Sequence, residues 1–250
     1  MIRISAGLLC VVFLALTVSA AAQGDNSQTD HPTPQERVRT SLQQIRRLPA
    51  EWFIGPYIPS SRELLPLTNE QRADVYFHQT FLTAGTYVLR GFTAGIDQAR
   101  GVPSQWGGGI DGYGRRFASR YGQFIIGNTL HSVGNAALGY ESRYDLCRCT
   151  GLWPRTRHAI MRNFMTYNRT EHELRFAAPL YAGSFSAGMI SSVWFPRTHD
   201  VWRDGAYAAL QQAAWGSASN WVSEFAIDIL RKVTGHKYSQ NLLPSASCRP

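Results

Sequence analysis

The chain has 250 residues, near the top of the single-domain range, and 44% of them are hydrophobic, which excludes a wholly disordered chain. The formal net charge is +8 and the mean hydropathy is −0.22, low for a polytopic membrane protein. The positive charge is almost entirely arginine, with lysine only at Lys232 and Lys237. The basic balance reads first as a solvated surface with no specific partner, and after that as a surface for an anionic partner, a membrane surface or another anionic envelope component. Nucleic acid is not expected as a partner of an exported chain.

Residues 1–22 read as a cleavable secretory signal. Arg3 supplies the positive start, Leu8 to Val18 the apolar run, and Ala20-Ala21-Ala22 a small-residue cleavage site before Gln23. Cys10 lies inside the apolar run after Leu9, so it is not placed for lipidation. Cys147, Cys149 and Cys248 remain in the mature chain, an odd number. A bridge within Cys147-Arg148-Cys149 is expected to be strained. A bridge from either one to Cys248 would tie the C-terminal tail to the connector at 139–153. A structural or incidental role is expected for these cysteines rather than a redox or metal role.

Residues 23–66 form a polar, Pro-rich arm. Within it Glu36 to Arg47 has the spacing of a short amphipathic helix, and Pro49, Pro56, Pro59 and Pro66 keep 49–66 extended. Trp52, Phe53 and Tyr57 suggest an arm lying across the domain. The core domain spans 67–237. Thr68 and Gln71 have the spacing of a capping box, opening a helix to about Gln98 with a bend near Gly85. Gly101 to Gly109 is a loop, and Asp111 caps a helix to about Leu138. After a connector at 139–151, Pro154 sits in the first turn of a helix to about Tyr167. Further helices run from about Pro179 to Trp194 and from about Asp200 to Val233, with Gly235 as C-cap and 238–250 as a tail. No stretch alternates with period two, so the fold class expected is all-α, a single helical bundle.

Small residues recur at helical spacing. Gly91 and Gly95 form a GxxxG; Gly127 and Gly134 are seven apart; Gly183 and Gly188 accompany Ser184 and Ser192; Ala209, Ala213 and Ser217 repeat every four. Such ridges permit close helix packing that offsets the cost of glycine in a helix. Three stretches, Tyr121–Tyr140, Ala177–Pro196 and Gly205–Ser223, lack Asp, Glu, Lys and Arg. They carry Asn, Gln, Gly and Ser, and read as core helices of a soluble or peripheral bundle, with membrane embedding as the alternative.

Four constellations have the residue types for chemistry. Gly107-Gly108-Gly109-Ile110-Asp111-Gly112 spells G-x-G-x-x-G, but no strand precedes it, so it reads as a turn feeding a helix. Ser184-Phe185-Ser186-Ala187-Gly188 resembles a nucleophile elbow, with His199 and Asp200 nearby in sequence, but it sits in a helical pattern. Glu171-His172-Glu173 has metal-ligand types without a second His at helical spacing. Glu224, Asp228 and Arg231 share a helical face, as do Asp111 and Arg115, and read as surface ion pairs. Arg155, Arg157, Arg162 and His158 make a basic helix read as a solvated face. No metal or cofactor is expected. Ser186, His199, Asp200 and His172 are weak catalytic candidates.

The ordered set Leu67-Thr68-Asn69-Glu70-Gln71-Arg72, Phe92-Thr93-Ala94-Gly95-Ile96, Trp106-Gly107, Gly112-Tyr113-Gly114-Arg115-Arg116, Gly127-Asn128-Thr129, Ser142-Arg143-Tyr144, Tyr181-Ala182-Gly183 through Trp194-Phe195-Pro196, and Glu224-Phe225 resembles a family of uncharacterised exported proteins of environmental bacteria. The resemblance covers about 67–235 and implies export, helical character and one domain, with no catalytic residue. Cys147 and Cys149 depart from that pattern. The expectation is an exported, non-catalytic helical-bundle protein of the periplasm or cell envelope with a structural or binding role, peripheral to a membrane. The alternatives are a membrane-embedded bundle or pore and a periplasmic hydrolase.

Overall fold

The structure, a computed structural model, describes residues 51–59, 67–168, 173–196 and 200–234. The signal, the helix expected at Glu36–Arg47, Gly235, Cys248, His172 and His199 lie outside the described residues. All described residues fall in the unit Ile45–Pro250. It is mainly helical, as the sequence leads one to expect.

A single turn, α1 (Glu51–Ile54), precedes a two-residue strand, β1 (Tyr57–Ile58). Helix α2 (Asn69–Phe77) opens on the expected capping box: Thr68 Oγ1 accepts the Gln71 N–H at 3.3 Å, and Gln71 Oε1 accepts the Thr68 N–H at 3.0 Å. It runs on into a π-helical turn at His78–Leu82 and stops at Thr83, whose φ and ψ are −90° and 113°. Helix α3 (Ala84–Ala99) follows. The helix therefore breaks at Thr83, where Gly85 was expected to bend it. Hydroxyls take the local carbonyls there: Thr80 donates to Tyr76 O and Thr83 to His78 O. Gly85 serves another purpose, since the Phe53 carbonyl oxygen occupies the place a Cβ would take.

A 3₁₀ turn at Ser104–Trp106 leads to α4 (Gly109–Leu138), whose N-cap is Gly108. Asp111 lies in its first turn and is not the cap. The helix ends at Gly139 in the left-handed conformation, φ 68°. Strand β2 (Tyr144–Asp145) pairs in parallel with β1. Helix α5 (Leu152–Phe164) carries Pro154 in its first turn, then gives way to β3 (Met165–Tyr167), antiparallel to β4 (Leu174–Phe176). The helix is shorter than its periodicity suggests because Arg162 donates to the Met165 carbonyl and Thr166 Oγ1 donates to Glu141 O at 2.8 Å. Helix α6 (Ala178–Ser191) ends short of Trp194, and α7 (Val201–Thr234) begins after Asp200, whose carboxylate accepts the Trp202 N–H at 2.9 Å. The strands are two or three residues long, too short for alternation to register in the sequence.

The three uncharged stretches fall in α4, α6 and α7, and these helices pack on one another with α6 against both neighbours. Contact is made at glycine. A Cβ on Gly183 would lie 2.7 Å from Gly127 O, one on Gly134 2.7 Å from Pro179 Cβ, and one on Gly188 2.5 Å from Asp204 O. Gly91 also packs closely, with Tyr113 donating to its carbonyl at 3.1 Å. Gly95 does not: no atom lies within 4 Å of where its Cβ would be. On α7 the buried small residues at the α6 contact are Gly205 and Ala208, one position off the expected Ala209 ridge. Among the described residues no helix is long and apolar enough to cross a membrane.

Candidate functional site

A cavity of about 570 Å³ lies among α3, α4, α6 and α7. Phe53 and Ile54 of α1 and residues 141–144 of the connector contribute to its wall. Its polar side chains include Arg90, Arg120, Gln123, Asn128, His131 and Gln211. Most are held. Arg120 makes a two-pronged pair with Asp97 at 2.6 and 2.9 Å and a hydrogen bond to Gln211 Oε1 at 2.7 Å. Asn128 donates to Thr80 Oγ1 at 2.7 Å. Burial pushes the His131 imidazole down to about 4, so it is neutral at neutral pH. The Asn135 amide nitrogen lies 2.8 Å from His131 Nε2. An amide nitrogen only donates, so Nε2 accepts and the ring proton sits on Nδ1.

Arg90 is different. Its guanidinium lies over the Phe124 ring, 4.5 Å from the centroid, and its buried Nε has no hydrogen-bond partner among the described residues. The other arginines of the wall have carboxylates: Arg120 has Asp97, Arg143 has Glu141 and Arg162 has Asp145. Burial, and then the charge of Arg120, lowers the Arg90 pKa to about 10, which still leaves it protonated at neutral pH. Among the described residues no carboxylate pairs with this charge in the cavity wall.

A second polar cluster closes the base of α5 and α7. Glu224 is 1% exposed. Its carboxylate accepts from Tyr144 Oη at 2.8 Å, from the Cys147 N–H at 3.2 Å and from Arg155 Nε at 3.0 Å. Arg155 also reaches Asp228 at 2.5 Å and lies over the Phe225 ring. Glu224 and Asp228 are therefore held by a partner from α5 rather than forming only the surface pair that their spacing suggests. Arg155 and Arg162 likewise turn inward, so the basic helix is not a solvated face at those positions. Burial and the Glu224 carboxylate hold the Tyr144 phenol well above its usual value, so it stays a donor. Cys147 and Cys149 are disulfide-bonded to each other, with Cα atoms 5.2 Å apart. The expected strain does not prevent this bridge, because the backbone here brings the two Cα atoms within disulfide range.

The remaining sequence candidates do not assemble. Ser186 lies mid-helix in α6, not on a strand-to-helix turn, and is not part of the cavity wall. The Asp200 carboxylate is engaged at the start of α7. The glycines at 107–112 form the turn into α4, as read from the sequence. What fixes that turn is Arg116, 1% exposed, which donates to Val102 O, Pro103 O, Gly107 O and Gln98 Oε1 at 2.6 to 2.9 Å. Among the described residues no group of three or more His, Cys, Asp or Glu converges for a metal. Arg90 and His131 escaped the sequence reading. The signal for Arg90 was there: it is the only charged residue between Ala84 and Ile96.

No protein-family model, no curated protein and no solved structure matches the chain.

Proposed function

We propose that this chain is an exported, non-catalytic helical-bundle binding protein of the cell envelope, whose cavity takes a small organic molecule. The observation that carries this reading is the cavity itself: about 570 Å³, bounded by the packed helices and lined by both aromatic and polar side chains. Its polar groups are placed for recognition. His131 is neutral and bonded to Asn135, and the Arg120 guanidinium is occupied by Asp97 and Gln211. The export part of the reading rests on the signal pattern at 1–22.

The test is fluorescence titration with N-phenyl-1-naphthylamine, an uncharged apolar probe that brightens when it leaves water. Saturable binding is expected for the native chain. Gln123→Phe, which fills the cavity from α4, is expected to abolish it with the helical circular dichroism unchanged. Equal binding by both proteins would place the probe elsewhere and overturn the reading.

A further inference from the structure

We infer that the molecule held in this cavity is an organic anion, with one negatively charged group, a carboxylate or its like, seated on the Arg90 guanidinium and an apolar body against the aromatic wall. This rests on the cavity reading above and specifies its ligand class.

A buried cation is costly unless its N–H groups find acceptors, a carboxylate or several neutral oxygens. Arg120, Arg143, Arg155 and Arg162 each have a carboxylate within hydrogen-bond range, and the buried Arg116 has four neutral oxygens. Arg90 has an aromatic face beneath it and a buried Nε with no partner among the described residues. The guanidinium lies over the Phe124 ring and lines the cavity, and its planar fork of N–H groups suits a planar acceptor. That fork is the natural seat of a two-oxygen anion. A second cation or a neutral donor there would add to the repulsion Arg90 already feels from Arg120.

The rest of the wall says what the anion is attached to. Phe53, Leu89, Phe92, Leu180 and Trp215 line the same space. A bare inorganic anion would leave this surface unused, whereas an aliphatic or aromatic body would cover it. The site therefore suits an amphipathic organic acid.

The experiment compares two probes that share a body and differ in charge: 1-anilinonaphthalene-8-sulfonate and N-phenyl-1-naphthylamine. The native chain is expected to bind the sulfonate about tenfold or more tighter than the amine, as a charge-assisted pair in a shielded site would give. Arg90→Gln and Arg90→Met are expected to abolish that preference while leaving amine binding in place. Arg90→Lys, with the charge but without the fork, is expected to fall between. The preference should persist at high salt, because a shielded pair is weakly screened; general attraction to a chain of net charge +8 would fade. Equal affinity of the native chain for both probes, a preference lost in salt, or a sulfonate affinity unchanged in both Arg90→Gln and Arg90→Met would overturn the inference. If the amine binds and only the preference is missing, the cavity reading stands and the anion is wrong. If neither probe binds the native chain, both fall together. The native-chain comparison and its salt dependence need no variant, so poor folding of an Arg90 substitution does not remove the test.

Discussion

Gly183 on α6 faces the backbone of α4 so closely that a methyl group there would lie 2.7 Å from Gly127 O and 3.1 Å from the His131 amide nitrogen. The contact is backbone against backbone, so no side chain can swing aside. Gly183→Ala is expected to cost about 1–3 kcal/mol, the usual range for overpacking. Gly95→Ala is the matched control: its Cβ meets nothing, and it should stabilise the chain by about 0.5–1 kcal/mol through helix propensity. Urea unfolding of the two variants checks both signs. Equal effects would mean that α4 and α6 do not pack at glycine.

Glu224 and Arg155 form the most buried charge pair between α5 and α7, with side chains 1% and 19% exposed. Glu224→Gln removes the charge while leaving Arg155 in place beside Phe225. A loss of roughly 3 kcal/mol is expected, most of it the cost of a cation left with Asp228 alone. A double-mutant cycle with Arg155→Met should recover part of it, and additivity of the two single losses would deny the coupling.

His131 gives the chain a pH dependence whose sign is fixed. The unfolded imidazole titrates near the ordinary 6.5, whereas the folded one titrates at about 4. Between those values the unfolded state binds the extra proton, so stability rises with pH. It is fully present above about 6.5 and is lost as pH falls toward 4. The window of 2.5 pH units corresponds to at most about 3 kcal/mol. Urea midpoints from pH 4 to 7 should show this slope in the native chain and a flatter profile in His131→Gln.

Arg116 ties the loop at 98–109 to α4 through three backbone carbonyls and one side-chain amide. Arg116→Met keeps the volume but leaves those acceptors without their donor. About 2 kcal/mol or more of destabilisation is expected, since each buried acceptor left unmade is costly. Limited proteolysis should locate the change: new cleavage within 101–109, with α4 and α6 still protected. Arg115, its exposed neighbour, should tolerate the same substitution.

The helices were legible because their signals are local. The Thr68–Gln71 box, Pro154, Asp200 and the glycine at 139 act within one turn, and the structure places helix boundaries close to each. The short strands were not, since two or three residues carry no period. Side-chain partners were legible only as stripes. Arg155 and Arg162 share one helical face and Glu224 and Asp228 another, but the sequence does not say that α5 and α7 are neighbours. The Arg115–Arg116 pair shows the same limit: two adjacent arginines, one exposed and one 1% exposed, separated only by helix register. The cavity was the least legible feature. It arises from the way α3 and α1 meet the α4–α6–α7 core; Arg90 stands out in one dimension only as the single charge between Ala84 and Ile96, and nothing there says which neighbours it faces.

Strand β1 bears on how the chain can be cut. Ile58 is 4% exposed and its carbonyl accepts the Leu146 N–H at 3.0 Å, so residues separated by 88 positions close one seam. Phe53 and Ile54, a few residues upstream, are part of the cavity wall. A chain trimmed to begin at the capping box would keep the long helices among the described residues and still lose a side of the cavity. It would also expose the 7%-accessible Leu146 with an orphaned amide. Such a truncation would look folded by circular dichroism while its cavity stood open on one side, so the cavity depends on residues upstream of the capping box.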